Sequence, residues 1–263
     1  MTANYYESNA IYDYLLKEKN NNFLFAKKDI WLVVYGNDKC EPKLLVVIMA
    51  STREHYLNLE FTELELSIIE TARKLSDISG IDYKLIRYCK DESELFCVQY
   101  INYKTKRYKN IQMNHLAKVF AKYGIGTTLS ETSETKKYLN DKISSAFHKW
   151  QREVLGNNIT ASDIDLIKFE NDEMSAIYEL KRSVVPIDKW KPYSDDYANF
   201  KLISKFADMA NLEFKIVYNQ RRKNPYCDDI SKLKLFSFDY RENRSNYCDT
   251  VILEDFLKGR YHG

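Results

Sequence analysis

The residues best suited to do chemistry together are three acids and a lysine, in the runs Ser162-Asp163-Ile164-Asp165 and Ala176-Ile177-Tyr178-Glu179-Leu180-Lys181. On a β-strand, residues two apart share a face. Glu179 and Lys181 therefore point the same way, and Asp163 and Asp165 share a face of a strand expected over Ala161–Phe169. The polar turn Glu170-Asn171-Asp172-Glu173 folds a second strand, Ser175–Ser183, back on the first and brings Asp165 beside Glu179. Two carboxylates held together repel each other unless a cation binds them. Mg²⁺ suits such a pair, because it takes one or two carboxylates and keeps waters for phosphate oxygens. Mn²⁺ can replace it. Lys181 then stands where it can orient or deprotonate an attacking water and stabilise developing phosphate charge.

This arrangement resembles the PD-(D/E)xK nuclease superfamily, over roughly Ser145–Gly263. Residue by residue, Asp165 matches the motif's first acid, Glu179 its second and Lys181 its lysine. The motif's proline is replaced by Ile164, which leaves Asp163 as the alternative first acid. The resemblance implies an α/β fold of the restriction-endonuclease-like kind, a mixed sheet flanked by helices. It also implies Mg²⁺-dependent hydrolysis of phosphodiester bonds, with double-stranded DNA as the expected partner and restriction or phage-related defence as the setting. A structure-selective or RNA-directed nuclease, and a catalytically silent nucleic-acid-binding protein, are the alternatives. Some members add an acid from the helix before the first motif strand. Glu153, at the edge of the Phe147/Trp150/Val154 stripe, is the candidate for that third metal ligand, with a solvated helix-end role as the alternative. One active site cuts one strand, so duplex cleavage favours a homodimer.

Basic residues that could hold a phosphate backbone flank the motif. Arg182, Lys189 and Lys191 follow the E-x-K strand, with Tyr193 beside them, and Trp190 reads more readily as a packing residue. Gln220-Arg221-Arg222-Lys223-Asn224, expected just after a strand ending at Tyr218, is the densest basic cluster near the site. Such contacts position a nucleic acid without reading its sequence. Lys104-Thr-Lys-Arg-Tyr-Lys109 is a similar stretch in the first half, or else an exposed hairpin end.

The elements that must position these residues fall into two parts. Residues 1–132 read as a smaller N-terminal α/β module for recognition or assembly, and residues 133–263 as the nuclease-like domain. The break is placed in the hydroxyl-rich stretch after Gly126. In the first part Asn9–Lys19 is a short helix, and Ile30–Tyr35 with Leu44–Ala50 a hairpin. His55–Phe61 suggests a third strand, and Thr62 with Glu65 a capping box opening a helix that Gly80 ends. Strands over Tyr83–Tyr88 and Leu95–Tyr103 precede a helix capped by Asn114. The second part reads helix, strand, strand, helix, strand, strand, helix, with an apolar helix over Asp195–Asn211.

Composition narrows the classes. With 44% hydrophobic and 30% charged residues, the chain is that of an ordinary globular protein. A net charge of +2 is too small to argue for nucleic acid without local clustering. No apolar run is long enough to span a bilayer, and the first residues lack the pattern of a secretion signal. Five scattered cysteines without a C-x-x-C pair argue against a zinc site or disulfide framework and for a reducing cytoplasm. No P-loop, G-x-G-x-x-G, G-x-S-x-G or H-E-x-x-H is present, so no nucleotide-driven motor resides in this sequence.

Overall fold

The computed structural model describes residues 9–26, 29–58, 60–92, 94–102, 105, 107–126, 146–156 and 159–262. Its class is mixed α/β, with two six-stranded sheets. The chain divides into two units, Met1–Phe25 with Ile164–Gly263, and Ala26–Asp163. The first is split in sequence, and the second is inserted between its two pieces.

Helix α1 (Ala10–Lys17) opens the split unit, capped by the Asn9 side chain, which accepts from Ile11 N at 2.9 Å. The cap satisfies one of the amides that a helix start leaves without a partner. A two-residue strand β1 (Phe23–Leu24) follows, and the chain then enters the inserted unit.

There β2 (Ile30–Asn37) and β3 (Pro42–Ser51) form the expected antiparallel hairpin. The strand expected over His55–Phe61 is instead helix α2 (Arg53–Asn58), with Glu60 and Phe61 irregular. The carbonyls of His55 and Glu60 accept from the Arg87 guanidinium, and that of Tyr56 from the Gln99 amide. Side chains below thus take up backbone groups that a ladder would otherwise have claimed. Helix α3 (Glu63–Ser79) starts at the expected capping box, with reciprocal bonds between Thr62 and Glu65, and Gly80 stops it at φ 72°. Strands β4 (Tyr83–Cys89), β5 (Cys97–Asn102) and β6 (Arg107–Gln112) come next. Helix α4 (Met113–Ala121) takes Gln112 as its N-cap, not Asn114, and no side chain bonds there. Helix α5 (Ala146–Val154) and strand β7 (Ile159–Asp163) complete the unit, whose sheet order is β6-β5-β4-β3-β2-β7. Phe147 and Trp150 of α5 sit in one core with Tyr35 and Phe120.

The split unit resumes with β8 (Leu166–Glu170) and β9 (Glu173–Ser183). The turn between them has Asn171 and Asp172 at φ 53° and 65°. That is the backbone of a two-residue hairpin, which Asn and Asp tolerate. A 3₁₀ turn (Ser194–Asp196) leads into α6 (Tyr197–Met209), the crossover to β10 (Glu213–Lys223), which pairs parallel with β9. Strands β11 (Tyr226–Asp239) and β12 (Arg244–Ile252) and helix α7 (Leu253–Leu257) end the fold. The sheet order is β1-β8-β9-β10-β11-β12, with β9·β10 its one parallel pair among the described residues.

This division differs from a break at 132/133. That position lies in 127–145, outside the described residues. Residues 146–163 belong to the inserted unit because β7 pairs with β2, from Val33↔Asp163 to Asn37↔Ile159. Residues of α1 and β1 belong with the second half of the sequence because Leu24 pairs with Ile167. The inserted unit therefore interrupts the other rather than preceding it. Among the described residues no helix is long and apolar enough to cross a membrane.

Candidate metal-dependent active site

The run expected as one strand over Ala161–Phe169 breaks at Ile164-Asp165, and its two halves enter different sheets. Asp163 ends β7 in the inserted unit, exposed and opposite Val33. Asp165 stands just before β8 in the split unit. Its carboxylate reaches across to β9, where Oδ2 accepts from Leu180 N at 2.7 Å. Its carbonyl oxygen accepts from the Tyr12 hydroxyl of α1 at 2.8 Å. The β8·β9 ladder pairs Leu166 with Tyr178, so the Leu180 amide lies beyond its last rung, and the Asp165 side chain takes the place of a further strand residue.

Glu179 and Lys181 flank Leu180 on the other face of β9. Glu179 is 8% exposed, and its Oε1 lies 2.9 Å from Lys181 Nζ. The ammonium also pairs with Asp196 Oδ2 at 3.4 Å and lies 5.3 Å from the centre of the Phe200 ring. Burial works against the charge on Lys181, but Glu179, Asp196 and Asp165 together outweigh it. Its ammonium is therefore held protonated well above the ordinary lysine range. Three carboxylates thus act on one cation, which leaves this end of β9 with surplus negative charge.

Comparison with family models, curated proteins and solved structures finds no significant match. The site must be read from its own geometry.

Asp196 was not visible as a site residue in sequence. It closes a Ser-Asp-Asp run before a helix, where acids ordinarily serve the helix start, so nothing in its type or position sets it apart. Among the described residues no group of three or more His, Cys, Asp or Glu side chains is placed to hold a metal. The pair Asp165 and Glu179 offers only hard oxygen donors, which fits Mg²⁺ with water completing its shell. Glu153 lies exposed on α5, in the inserted unit.

The basic residues separate into two kinds. Lys189 and Lys191 are exposed on the loop after β9. Between them Trp190 is 2% exposed and stacks on Tyr218, ring centres 4.1 Å apart, as a packing residue should. Lys234 Nζ holds that loop from below, donating to the carbonyls of Asp188 and Trp190 at 2.9 Å each. Arg221, expected to meet phosphate, is instead 6% exposed. Its Nε donates to Asp228 Oδ1 at 2.7 Å, and Arg182 Nη1 reaches the other oxygen of that carboxylate at 3.0 Å. Arg222 is exposed and paired with Asp229, and Lys223 is exposed at the end of β10. The basic cluster lies on a strand rather than after one, since β10 runs to Lys223. Of the first-half stretch, Lys104 and Lys106 lie outside the described residues, while Arg107 and Lys109 are exposed on β6.

Proposed function

We propose that the chain is a Mg²⁺-dependent endodeoxyribonuclease of the PD-(D/E)xK kind, acting in the cytoplasm in restriction or phage-related defence. The observation that carries this reading is the Asp165 carboxylate fixed on the Leu180 amide, between Glu179 and Lys181 of the neighbouring strand. An acid just before one strand is set into the E-x-K of the next, its side chain fixed on the main chain of that strand. The element order α1, β1, β8, β9, α6, β10, with its parallel β9·β10 pair, supports a restriction-endonuclease-like core. All five cysteines are free thiols, in keeping with a reducing compartment.

Asp165 and Glu179 would hold the ion, which when bound supplies charge neutralisation at the phosphate and acidifies a water. Lys181 donates hydrogen bonds to that water or to a phosphate oxygen, kept in place by Asp196 and the Phe200 ring. Lys189 and Lys191 extend from a loop anchored by Trp190 and Lys234, and they position the backbone of the substrate. Duplex cleavage from single sites calls for two chains acting together.

The test is cleavage of supercoiled plasmid by the purified chain with Mg²⁺, with Ca²⁺ and with EDTA. Mg²⁺ and Mn²⁺ should support cutting. Ca²⁺, which takes looser and higher coordination, should support binding without product. Glu179→Ala, Asp165→Ala and Lys181→Ala should each lower cleavage by about 10²–10³-fold or more, and Asp163→Ala far less. Undiminished cutting in excess EDTA, or by the Glu179→Ala protein, removes this assignment. Metal-independent binding without any cutting would point to a silent nucleic-acid-binding protein.

A further inference from the structure

The β10–β11 hairpin continues beyond the sheet that roots it. The last rung that β10 shares with β9 is Gln220↔Ser183, and the outermost rung of β11 with β12 is Lys232↔Ile252. Past these points the two strands pair only with each other, through Arg221↔Asp228, Arg222↔Cys227 and Lys223↔Tyr226. The turn is Asn224-Pro225. Both outer edges of this stretch lack a neighbouring strand among the described residues. At about 3.4 Å per residue, three rungs project roughly 10 Å.

An isolated two-stranded ribbon is marginal in water, yet this one has a built root. The Asp228 carboxylate, with side-chain exposure of 10%, holds Arg221 of its own hairpin and Arg182 of β9. The register shifts between Tyr218 and Gln220, which re-aims the ribbon at its base. A bulge at this position bends the strands that carry it. The tip is polar and basic: Lys223, Asn224 and Tyr226 are exposed, Arg222 is exposed while paired with Asp229, and no acid stands between Gln220 and Asp228. Parallel β9 and β10 point this same end outward, and Glu179 and Lys181 lie on β9 close to it.

We propose that the ribbon Arg221–Asp228 enters the major groove of a B-form DNA duplex, with Arg222, Lys223, Asn224 and Tyr226 as its reading tip. The dimensions favour this partner. The major groove of B-DNA is about 12 Å wide and about 8.5 Å deep and admits a two-stranded ribbon. The three rungs reach its floor, and Asn and basic side chains are the groups that pair with purine edges there. The major groove of an RNA duplex is too deep and narrow to be read this way. The inference rests on the nuclease reading and narrows it from nucleic acid to duplex DNA. The Arg182–Asp228–Arg221 clamp holds the ribbon rigid before binding, so little ordering is left to oppose association.

The experiment uses the full chain with Ca²⁺, a labelled DNA duplex and an RNA duplex of the same sequence. Wild-type protein should bind the DNA duplex about ten-fold tighter or more. The Lys223→Ala/Asn224→Ala double variant should lose roughly ten-fold on DNA, with an unchanged unfolding midpoint because both residues are exposed. With Mg²⁺ restored, the variant should still cut at saturating DNA but distribute its cuts over more sites. An unchanged DNA Kd and cutting pattern in the variant, or equal binding of the RNA duplex by wild type, overturns the ribbon's role. Mg²⁺-dependent cutting by wild type would leave the nuclease reading standing in either case. Wild-type protein that binds neither duplex and cuts nothing overturns both.

Discussion

Among the described residues each unit carries one parallel strand pair, and each sets an ion pair beside it, to opposite effect. In the inserted unit Arg87 of β4 is fully buried and meets Glu65 of α3 at 3.3 Å. In the split unit Lys181 of β9 meets Glu179 at 2.9 Å, with 24% of its side chain exposed. Arg87 Nη2 also donates to the Glu60 carbonyl, Nη1 donates to that of His55, and the guanidinium lies over the Phe61 ring, 4.6 Å from its centre. It has one acid and a set of backbone acceptors, so it ties a loop to a sheet. Lys181 has three acids acting on it and an opening to solvent. A buried pair whose cation also donates to main-chain carbonyls is a strut. One whose charges do not balance, at an accessible strand end, is suited to bind something.

The sharpest way to break this contrast is to remove one partner from each pair. Glu179→Ala should abolish cleavage and leave stability within about 1 kcal/mol of wild type, since it relieves crowded negative charge. Arg87→Ala should do the reverse. It strands Glu65 and two carbonyls in the core, which costs about 3–5 kcal/mol, read from the urea midpoint of the inserted unit. Comparable destabilisation by both substitutions would show that the two pairs are alike and that Glu179 is structural.

A second experiment sharpens the comparison by separating the units. Leu24 pairs with Ile167 in an antiparallel ladder, which sets Phe25 near the start of β8. Excising residues 26–163 and joining Phe25 to Ile164 through a short Gly/Ser linker should leave a cooperatively folding protein. The split unit keeps its own core, from Ile11 and Phe23 through Tyr178 and Val217 to Phe256. A noncooperative, molten product by circular dichroism and urea titration would mean that the sheet depends on the insertion.

Much of the site was legible because strand alternation is local. Glu179 and Lys181 share a face by spacing alone, and Asn171-Asp172 announced the turn that brings Asp165 to β9. What stayed hidden depended on distant pairing. Residues 161–169 read as one β-rich run because nothing local marks a strand that leaves one sheet for another. β1 is two residues long, too short for any periodic signal, yet it fixes where the first piece of the split unit belongs. Arg221 read as a phosphate ligand because the Asp that neutralises it stands across a hairpin. A basic run followed seven residues later by Asp228-Asp229, with Asn224-Pro225 between, was the available clue. The α2 segment was lost for a different reason: its backbone is satisfied by Arg87 and Gln99, which alternation cannot reveal.

Asp196 tests how far the charge surplus itself matters. It touches Lys181 and is assigned no metal here, so it is a positioning residue. Asp196→Asn should reduce cleavage by roughly ten-fold, well short of Glu179→Ala, because it removes one of two ion pairs that hold the lysine. The distinguishing readout is the ratio of single-turnover rate to DNA affinity. A misplaced lysine lowers the rate and leaves Kd unchanged. A loss confined to Kd would assign Asp196 to substrate binding instead.

The smallest effect expected lies in the inserted unit, at a half-buried histidine. His148 of α5 packs edge-on against Trp31, ring centres 5.1 Å apart. Burial lowers its pKa, Asp163 opposes that shift, and Arg152 adds to it. The folded unit therefore binds the proton less readily than the unfolded chain does. Its neutral form supports stability in full above the unfolded histidine value of about 6.5, and that support is lost as pH falls through the folded value. Between pH 7 and 5 the urea midpoint of the inserted unit should decline, with a matching change in tryptophan emission. In His148→Phe, which keeps an aromatic ring against Trp31 and cannot take up a proton, the decline should be shallower by the histidine's share. Equal slopes in the two proteins would mean that acid acts on this unit through its carboxylates alone. A steeper slope in wild type would show that a half-buried, neutral histidine is part of the packing, as Arg87 is, and not a second chemical site.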